Sequence, residues 1–345
     1  MPTPRDLAYA VFRGENERPG IHIESDDKRF EYEMSDFISS RAKLATWDAY
    51  LGEGGPFARR EGEGLLEWLE RVDPSAYDWE ESYEEIPSAI ESFERKMREF
   101  ASGDRFVVFK VLGPTEVAEG FFAPGIRASS GQLAHRFGFG VLASLDLSRA
   151  ARVYERIAAG VMELVRAGAE LDFVDGVRVA DDVATYSGPA YPKGFLSLYL
   201  EWHRRLASAI RRRGKVAILH TDGDVTKLGL LGELCGAYDG LHPLDLAPKS
   251  TVADALDWVR RICSARGEAQ AAVFFTGVPI ELVFGGATSQ ELIEVVRRLI
   301  RCHGVERLVV ATTHSPYPGR GYHEARPAEK VRAVRDYVLS LSAQH

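Results

Sequence analysis

The most constraining feature of the chain is the regular alternation of short apolar runs with longer amphipathic segments from Phe106 onwards. The runs lack polar alternation, which is typical of parallel strands buried on both faces. The predicted strands are Gly20–Glu24, Phe106–Leu112, Gly176–Ala180, Val216–Leu219, Gly240–His242, Ala272–Phe275 and Leu308–Ala311. The predicted helices are residues 4–13, Gly64–Val72, Ile86–Phe100, Ser148–Ala167, Gly194–Arg213, Thr226–Gly236, Val252–Arg266, Ser289–Cys302 and Ala328–Leu341. This order predicts a parallel sheet with helices outside it.

Such a sheet is either a closed barrel or an open, doubly wound sheet. The length of 345 residues suits a barrel. No GxGxxG turn follows a predicted strand, and polar residues follow nearly every strand rather than a single crevice. We therefore predict an α/β fold, a (β/α)8 TIM barrel with a helical N-terminal elaboration, because residues 30–103 show helical spacing and no clear second strand. No internal repeat or low-complexity linker divides the chain, so we predict one domain over residues 1–345.

Composition narrows the partners and the compartment. The excess of 51 acidic over 43 basic residues gives a formal charge of −8, which argues against nucleic acid and anionic membranes as partners. No run approaches the roughly 18 apolar residues of a membrane span, and the N-terminus has no apolar signal segment, so we expect a cytoplasmic protein. Cys235, Cys263 and Cys302 are widely spaced in predicted helices, so we expect reduced thiols rather than a disulfide framework.

Polar side chains follow the predicted strands where each strand ends. The clearest case is VAILHTDGD, in which strand Val216–Leu219 stops at His220 and is followed by Asp222. Barrel closure gathers strand ends at one mouth. The residues expected there are Glu116, Asp182, His220, Asp222, Asp245 and His314. Neither a Ser-His-Asp order nor a P-loop is present, so acyl transfer and nucleotide hydrolysis have no support.

Five segments share features with one known superfamily. They are PTPRDLAYAVFRGENERPGIHI, FVVFKVLGPTEVAEGFF, VRVADDVATYSGPAYPKGFLSLYLEWHRRL, VAILHTDGD with the following GAYDGLHPLD, and VVATTHSPYPG. In these the chain resembles the uroporphyrinogen decarboxylase superfamily, along nearly its whole length. The resemblance implies a (β/α)8 barrel. It also implies either decarboxylation or methyl transfer, because the superfamily includes cobalamin-linked thiol methyltransferases and relatives of the methionine synthase catalytic domain.

Two departures from the superfamily pattern bear on chemistry. Where the decarboxylase has an Arg-rich segment that grips substrate carboxylates, this chain reads ESDDKRFEYEM, whose acids would repel a polyanionic porphyrinogen. Where the thiol methyltransferases place zinc-binding cysteines, this chain has Asp222 in the first position and His314 in the late segment.

His220, Asp222 and His314 are the predicted metal ligands. Residues i and i+2 at a strand end converge on one ion, and a third ligand from further round the barrel completes a 2-His-1-carboxylate set. The expected cofactor is Zn²⁺ or another divalent metal, since the carboxylate makes the site suitable for Mn²⁺ or Fe²⁺ as well. The alternative is that His220 donates to a carbonyl group and Asp222 caps the helix near Val225.

The predicted catalytic residues are Asp182, His220 and Glu116. Asp181 and Asp182 point in opposite directions if they lie on a strand, and the resemblance places Asp182 in the cleft. Glu116 is either a mouth acid or a helix-capping residue. The predicted substrate-binding residues are Asp245, Tyr317 and Thr313. His242 is expected to face the helical layer.

The sequence leaves three functions open. The first is metal-assisted methyl transfer to a thiol or related acceptor, with a corrinoid-linked substrate or a corrinoid protein as partner. The second is decarboxylation of a porphyrinogen or another carboxylic acid. The third is a non-catalytic barrel that binds a corrinoid or tetrapyrrole. In each case the ligand is a small molecule, and a homodimer is one option for the oligomeric state.

Overall fold

The computed structural model describes residues 2–47, 54–101, 103–123, 138–268 and 271–341. The barrel strands are β1 Gly20–His22, β2 Phe37–Arg41, β3 Phe106–Leu112, β4 Gly176–Ala180, β5 Val216–Thr221, β6 Gly240–Pro243, β7 Val273–Val278 and β8 Leu308–Thr312. All ladders between them are parallel; from β2 to β8 each strand pairs with the next one along the chain, and β1 pairs with β8. This is the predicted (β/α)8 barrel, which a small hairpin, Ala184–Thr185 with Gly188–Pro189, elaborates after β4.

Helices cover the outside of the strands. They are α1 Pro4–Arg13, α2 Lys28–Met34, α3 Leu65–Arg71, α4 Glu80–Glu84, α5 Ile86–Ala101, α6 Pro114–Phe122, α7 Gly138–Leu145, α8 Leu147–Ala169, α9 Lys193–Arg212, α10 Leu231–Ala237, α11 Val252–Ala265, α12 Ile280–Phe284, α13 Ser289–His303 and α14 Ala325–Ser340. Short 3₁₀ turns lie at Pro74–Ala76, Val225–Leu228 and Arg266–Glu268. Three of the α-helices, α1, α11 and α13, begin at a threonine N-cap. Thr3, Thr251 and Thr288 each form a reciprocal capping box with an acidic residue three positions later.

Strand β2, which the sequence pattern did not reveal, pairs with β3 and meets β1 without a regular ladder. Side chains supply part of the closure instead. The Asp36 carboxylate accepts the Ile21 N–H at 2.8 Å, and the Ser35 hydroxyl accepts the Ile23 N–H at 2.8 Å. The buried Glu31 carboxylate of α2 accepts the Ser39 N–H at 2.9 Å. We call this junction the β1–β2 seam.

Helix α1 closes the N-terminal end of the barrel. Its Ala8 and Val11 are fully buried against inward-facing strand residues. That inner cluster is aromatic and aliphatic, comprising Phe37, Phe106, Val108, Ile218, Val273, Phe275, Val309 and Ala311 with Phe12 and Tyr9 packed on it. The barrel is therefore filled at this end.

The structure corrects the expectation for the cysteines. Cys263 on α11 and Cys302 on α13 are joined by a disulfide, because the two helices pack side by side with Cα atoms 5.9 Å apart. Helical neighbours 39 residues apart in sequence cannot be recognised from spacing alone. Cys235 is buried. Within the described residues, the helices are too short or too polar to cross a membrane.

Candidate metal centre at the barrel mouth

His220 lies inside the barrel near its C-terminal end. β5 continues through His220 to Thr221, two residues beyond the predicted end. Alternation along the strand points His220 inward, like Ile218 in the inner cluster. Its side chain is only 14% exposed. Asp222 follows directly after the strand, and its carboxylate lies close to the His220 imidazole.

A chain of ring nitrogens fixes the proton on His220. His242 Nε2 lies 2.8 Å from the carbonyl oxygen of Thr312, which can only accept, so this nitrogen carries a proton. Burial holds the pKa of His242 well below its usual value, so the ring is neutral and its Nδ1 is an acceptor. His220 Nδ1 lies 2.6 Å from that acceptor and must donate. Burial lowers the pKa of His220 to about 3, so His220 is also neutral and its Nε2 carries a lone pair.

The lone pair of His220 faces a second acceptor. Nε2 of His220 lies 3.7 Å from Oδ1 of Asp222. This oxygen is buried and has no hydrogen-bond partner among the described residues. Two facing acceptors without a shared proton favour a cation between them.

His314 completes the group from the end of β8. Its Nε2 lies 2.8 Å from Oδ2 of Asp222. One donor atom each from His220, Asp222 and His314 lies within 4.8 Å of the others. Burial opposes a charge on His314, but the adjacent Asp222 carboxylate outweighs it and raises the pKa of His314. Burial likewise opposes the charge on Asp222, but His314 outweighs it and lowers the Asp222 pKa to about 2.

The structure separates the two acids that end β4. Asp182 reaches the mouth, where its Oδ1 accepts the N–H of Asp222 at 2.7 Å. Burial, and then repulsion from Asp222 and Glu116, raise the Asp182 pKa well above its usual value. Asp181 turns to the helices, where it accepts from His203 at 2.8 Å.

Capping roles differ from the alternatives that the sequence left open. Asp181, rather than Glu116, accepts the N–H groups of Thr115 and Glu116 at the start of α6. Asp224, rather than Asp222, caps the turn Val225–Leu228. The carboxylates of Glu116 and Asp222 are both close enough to Asp182 to raise its pKa.

The predicted substrate-binding residues are not equivalent. Asp245 is buried, pairs with the Lys249 ammonium and accepts from the Tyr186 hydroxyl at 2.7 Å. Tyr317 is 41% exposed and its ring packs against Phe284.

Thr313, the third predicted substrate-binding residue, lies in the protein interior. Thr313 is fully buried, and its hydroxyl accepts the N–H of Ile280 at 3.1 Å. Its hydroxyl therefore joins the start of α12 to the end of β8.

Other residues near the centre were missed or misplaced by sequence reasoning. His242 faces the barrel interior, not the helical layer, because it is in register with His220 on the neighbouring strand. Glu24, Lys110 and Arg178 form a buried ion cluster below the histidines. The signal for the last two was a single cation within each apolar strand, in FVVFKVL and GVRVA.

The fold and the mouth define a (β/α)8 TIM barrel with a group of convergent histidine and carboxylate side chains at its C-terminal end. No protein-family model matches the chain, and no curated protein matches it. Among solved structures, a methyltransferase from Methanosarcina mazei is similar, with a TM-score of 0.65 and 14% identity over 99% of this chain and 100% of that one. GH5_18 from Streptomyces cattleya, in complex with GlcNAc, gives 0.53 and 12% identity over 95% and 81%. These likenesses show the fold.

Proposed function

We propose that the chain is a metal-assisted methyltransferase that acts on a thiol or related acceptor at the barrel mouth. The observation that carries the metal centre is the pairing of the His220 lone pair with the unpartnered Oδ1 of Asp222, beside Nε2 of His314. The methyl-transfer chemistry draws support from the superfamily resemblance and from the similarity to the M. mazei methyltransferase.

The three side chains fit a divalent ion. Atoms bound to one Zn²⁺ at about 2.0–2.1 Å lie within about 4.2 Å of each other, so the 4.8 Å grouping needs only a small inward movement of side chains. Two imidazoles with one carboxylate suit Zn²⁺, Mn²⁺ or Fe²⁺. A bound ion would act as a Lewis acid that favours the thiolate form of an acceptor.

The chain's own residues would hold and move protons around that centre. His242 keeps the His220 proton on Nδ1, which leaves Nε2 free of a proton. The raised pKa of Asp182 means that this carboxyl group holds a proton more readily than an ordinary aspartate, and it lies next to Asp222, where it can exchange that proton with the acceptor. His314 must lose its proton before its Nε2 can bind a metal.

The pairing of Lys249 disfavours the decarboxylase alternative for a porphyrinogen. Lys249 is a buried cation next to the mouth, and its charge is already taken up by Asp245 and Glu281. It is therefore not available to bind a substrate with many carboxylates.

Metal analysis of the purified protein tests the centre. We expect about one divalent ion per chain, and His314→Ala should lose it. His303→Gln, at the opposite end of the barrel, is the matched control and should retain it. A metal content near zero in the wild type after reconstitution with Zn²⁺, Mn²⁺ and Fe²⁺ would overturn the proposal.

Turnover tests the reaction class. The loaded protein should methylate a simple thiol from a methylated corrinoid, and Asp182→Asn should lower the rate while leaving the metal content unchanged. A metal-loaded protein that binds a corrinoid without turnover would indicate the non-catalytic barrel instead.

A further inference from the structure

Two basic side chains lie side by side inside the barrel below His220. Lys110 on β3 and Arg178 on β4 are Cα partners in the ladder. Lys110 follows Phe106 and Val108 at two-residue intervals, so it faces the barrel interior as they do. In the ladder between β4 and β5, Ala180 is the partner of His220, two residues beyond Arg178. Lys110 and Arg178 therefore lie one inward-facing layer deeper in the barrel than the His220 imidazole.

Lys110 is reachable from the mouth. Its side chain is 15% exposed, about as much as the 14% of His220. The aromatic cluster and α1 fill the barrel below it, so this exposure opens toward the mouth. A ligand that touches His220 therefore lies one inward-facing layer above the Lys110 side chain.

The charges around the pair are unequal. Glu24 accepts from both Lys110 and Arg178, and also from the Ser315 hydroxyl at 2.7 Å. The nearby Glu31 is itself paired with Lys28. Two cations thus share the single carboxylate of Glu24.

Arg178 also has an unused donor. Its side chain is 7% exposed, and its Nε has no hydrogen-bond partner among the described residues. Burial, and repulsion from Arg178, lower the Lys110 pKa to about 8 despite the attraction of Glu24. A buried cationic donor that lacks an acceptor is unfavourable, and an incoming anion would satisfy it.

We propose that Lys110 and Arg178 form a subsite for one carboxylate group of the substrate. A monoanion matches the excess of one positive charge at Lys110, Arg178 and Glu24. The second charge of a dianion would lie near the acidic residues at the barrel mouth. The inference rests on the proposed function in that it places the other end of the same molecule at His220, Asp222 and His314. The substrate class is then a small thiol or related acceptor that carries one carboxylate group.

Calorimetric titration of the metal-free protein with sodium propionate tests the subsite. We expect millimolar binding in the wild type and roughly tenfold weaker binding in Lys110→Met, as the loss of a charge-assisted hydrogen bond implies. Glu24→Gln should tighten binding severalfold, because it removes the internal competitor for both cations. Lys193→Met, an exposed lysine, is the control and should match the wild type.

The two variants are expected to change propionate affinity in opposite directions, so the test still works if one of them folds poorly. Unchanged propionate affinity in Glu24→Gln and Lys110→Met, or no binding to either the wild type or Glu24→Gln, would overturn the subsite. Zinc titrations of the same proteins separate the two proposals. Zinc binding without propionate binding rejects the subsite alone, and propionate binding without zinc binding rejects the metal centre alone.

Discussion

The two ends of the barrel interior are built from opposite chemistry. At the N-terminal end, the rings of Phe12, Phe37, Phe106 and Phe275 pack with centroids 5.2–6.4 Å apart. At the C-terminal end, the inward-facing strand positions carry His220, His242, Lys110 and Arg178, and Glu24 pairs with the two cations. The N-terminal end stabilises the fold through hydrophobic burial, whereas the C-terminal end keeps polar groups whose hydrogen bonding is incomplete, as is common at functional sites.

The largest expected effect is at the aromatic end. Phe37 is fully buried and its ring contacts those of Phe12, Phe106 and Phe275. Phe37→Ala should lower the free energy of unfolding by about 3–5 kcal/mol, through lost burial and a cavity. Urea denaturation measures it, with the exposed Leu66→Ala as control. A loss below 1 kcal/mol would remove the distinction between the two ends.

A smaller effect is expected when a ligand is removed at the polar end. Asp222→Asn should weaken zinc binding by more than roughly 100-fold, because an outer-shell loss alone costs about 10–100-fold. The free energy of unfolding of the metal-free protein should change far less than in Phe37→Ala. Competition with a chelator measures the affinity, and an Asp222→Asn protein that retains wild-type affinity would contradict the assignment.

The orienting histidine should matter somewhat less than the ligands. His242→Leu removes the acceptor for the His220 Nδ1 proton and should weaken zinc binding by about 10–100-fold. Gln at position 242 keeps an acceptor and a donor, so His242→Gln should recover part of the affinity. Equal losses in both variants would mean that His242 acts only through packing.

The smallest effect is the pH dependence of the metal-free protein. The folded-state pKa of His314 is raised above 6.5, so its ion pair with Asp222 stabilises the fold fully below pH 6.5 and is lost as pH rises through the raised pKa. His314 is 39% exposed, and solvent screening keeps the contribution below about 1 kcal/mol. Unfolding midpoints at pH 6 and pH 9 should therefore show a larger loss in the wild type than in Asp222→Asn, and equal losses would contradict this role of the ion pair.

Strands that are apolar on both faces were predictable, and the barrel order follows from them. Strand β2 was not, because FISSR carries two serines and an arginine in a short segment. The hydroxyl of Ser39 is satisfied by Glu31, a contact that only the folded chain creates. The disulfide between Cys263 and Cys302 depends in the same way on which helices pack together.

The grouping of His220, Asp222 and His314 followed from strand order, since parallel strands end at one mouth. The direction of His242 did not, because alternation has to be counted from a strand start that the sequence leaves uncertain by a residue or two. Lys110 and Arg178 were hidden for another reason. A single cation within an apolar strand does not indicate a site by itself, and only the register of the folded sheet shows that Lys110 and Arg178 lie next to each other.

The β1–β2 seam has a consequence for local opening. The Ile21, Ile23 and Ser39 amides are protected by side chains of Asp36, Ser35 and Glu31 rather than by a strand partner. Hydrogen exchange should therefore begin at this junction, and Glu31→Gln should speed the exchange of the Ser39 amide more than that of residues in the β3–β4 ladder. Single side-chain substitutions at the β1–β2 seam should therefore change the free energy of local opening there without changing the rest of the barrel.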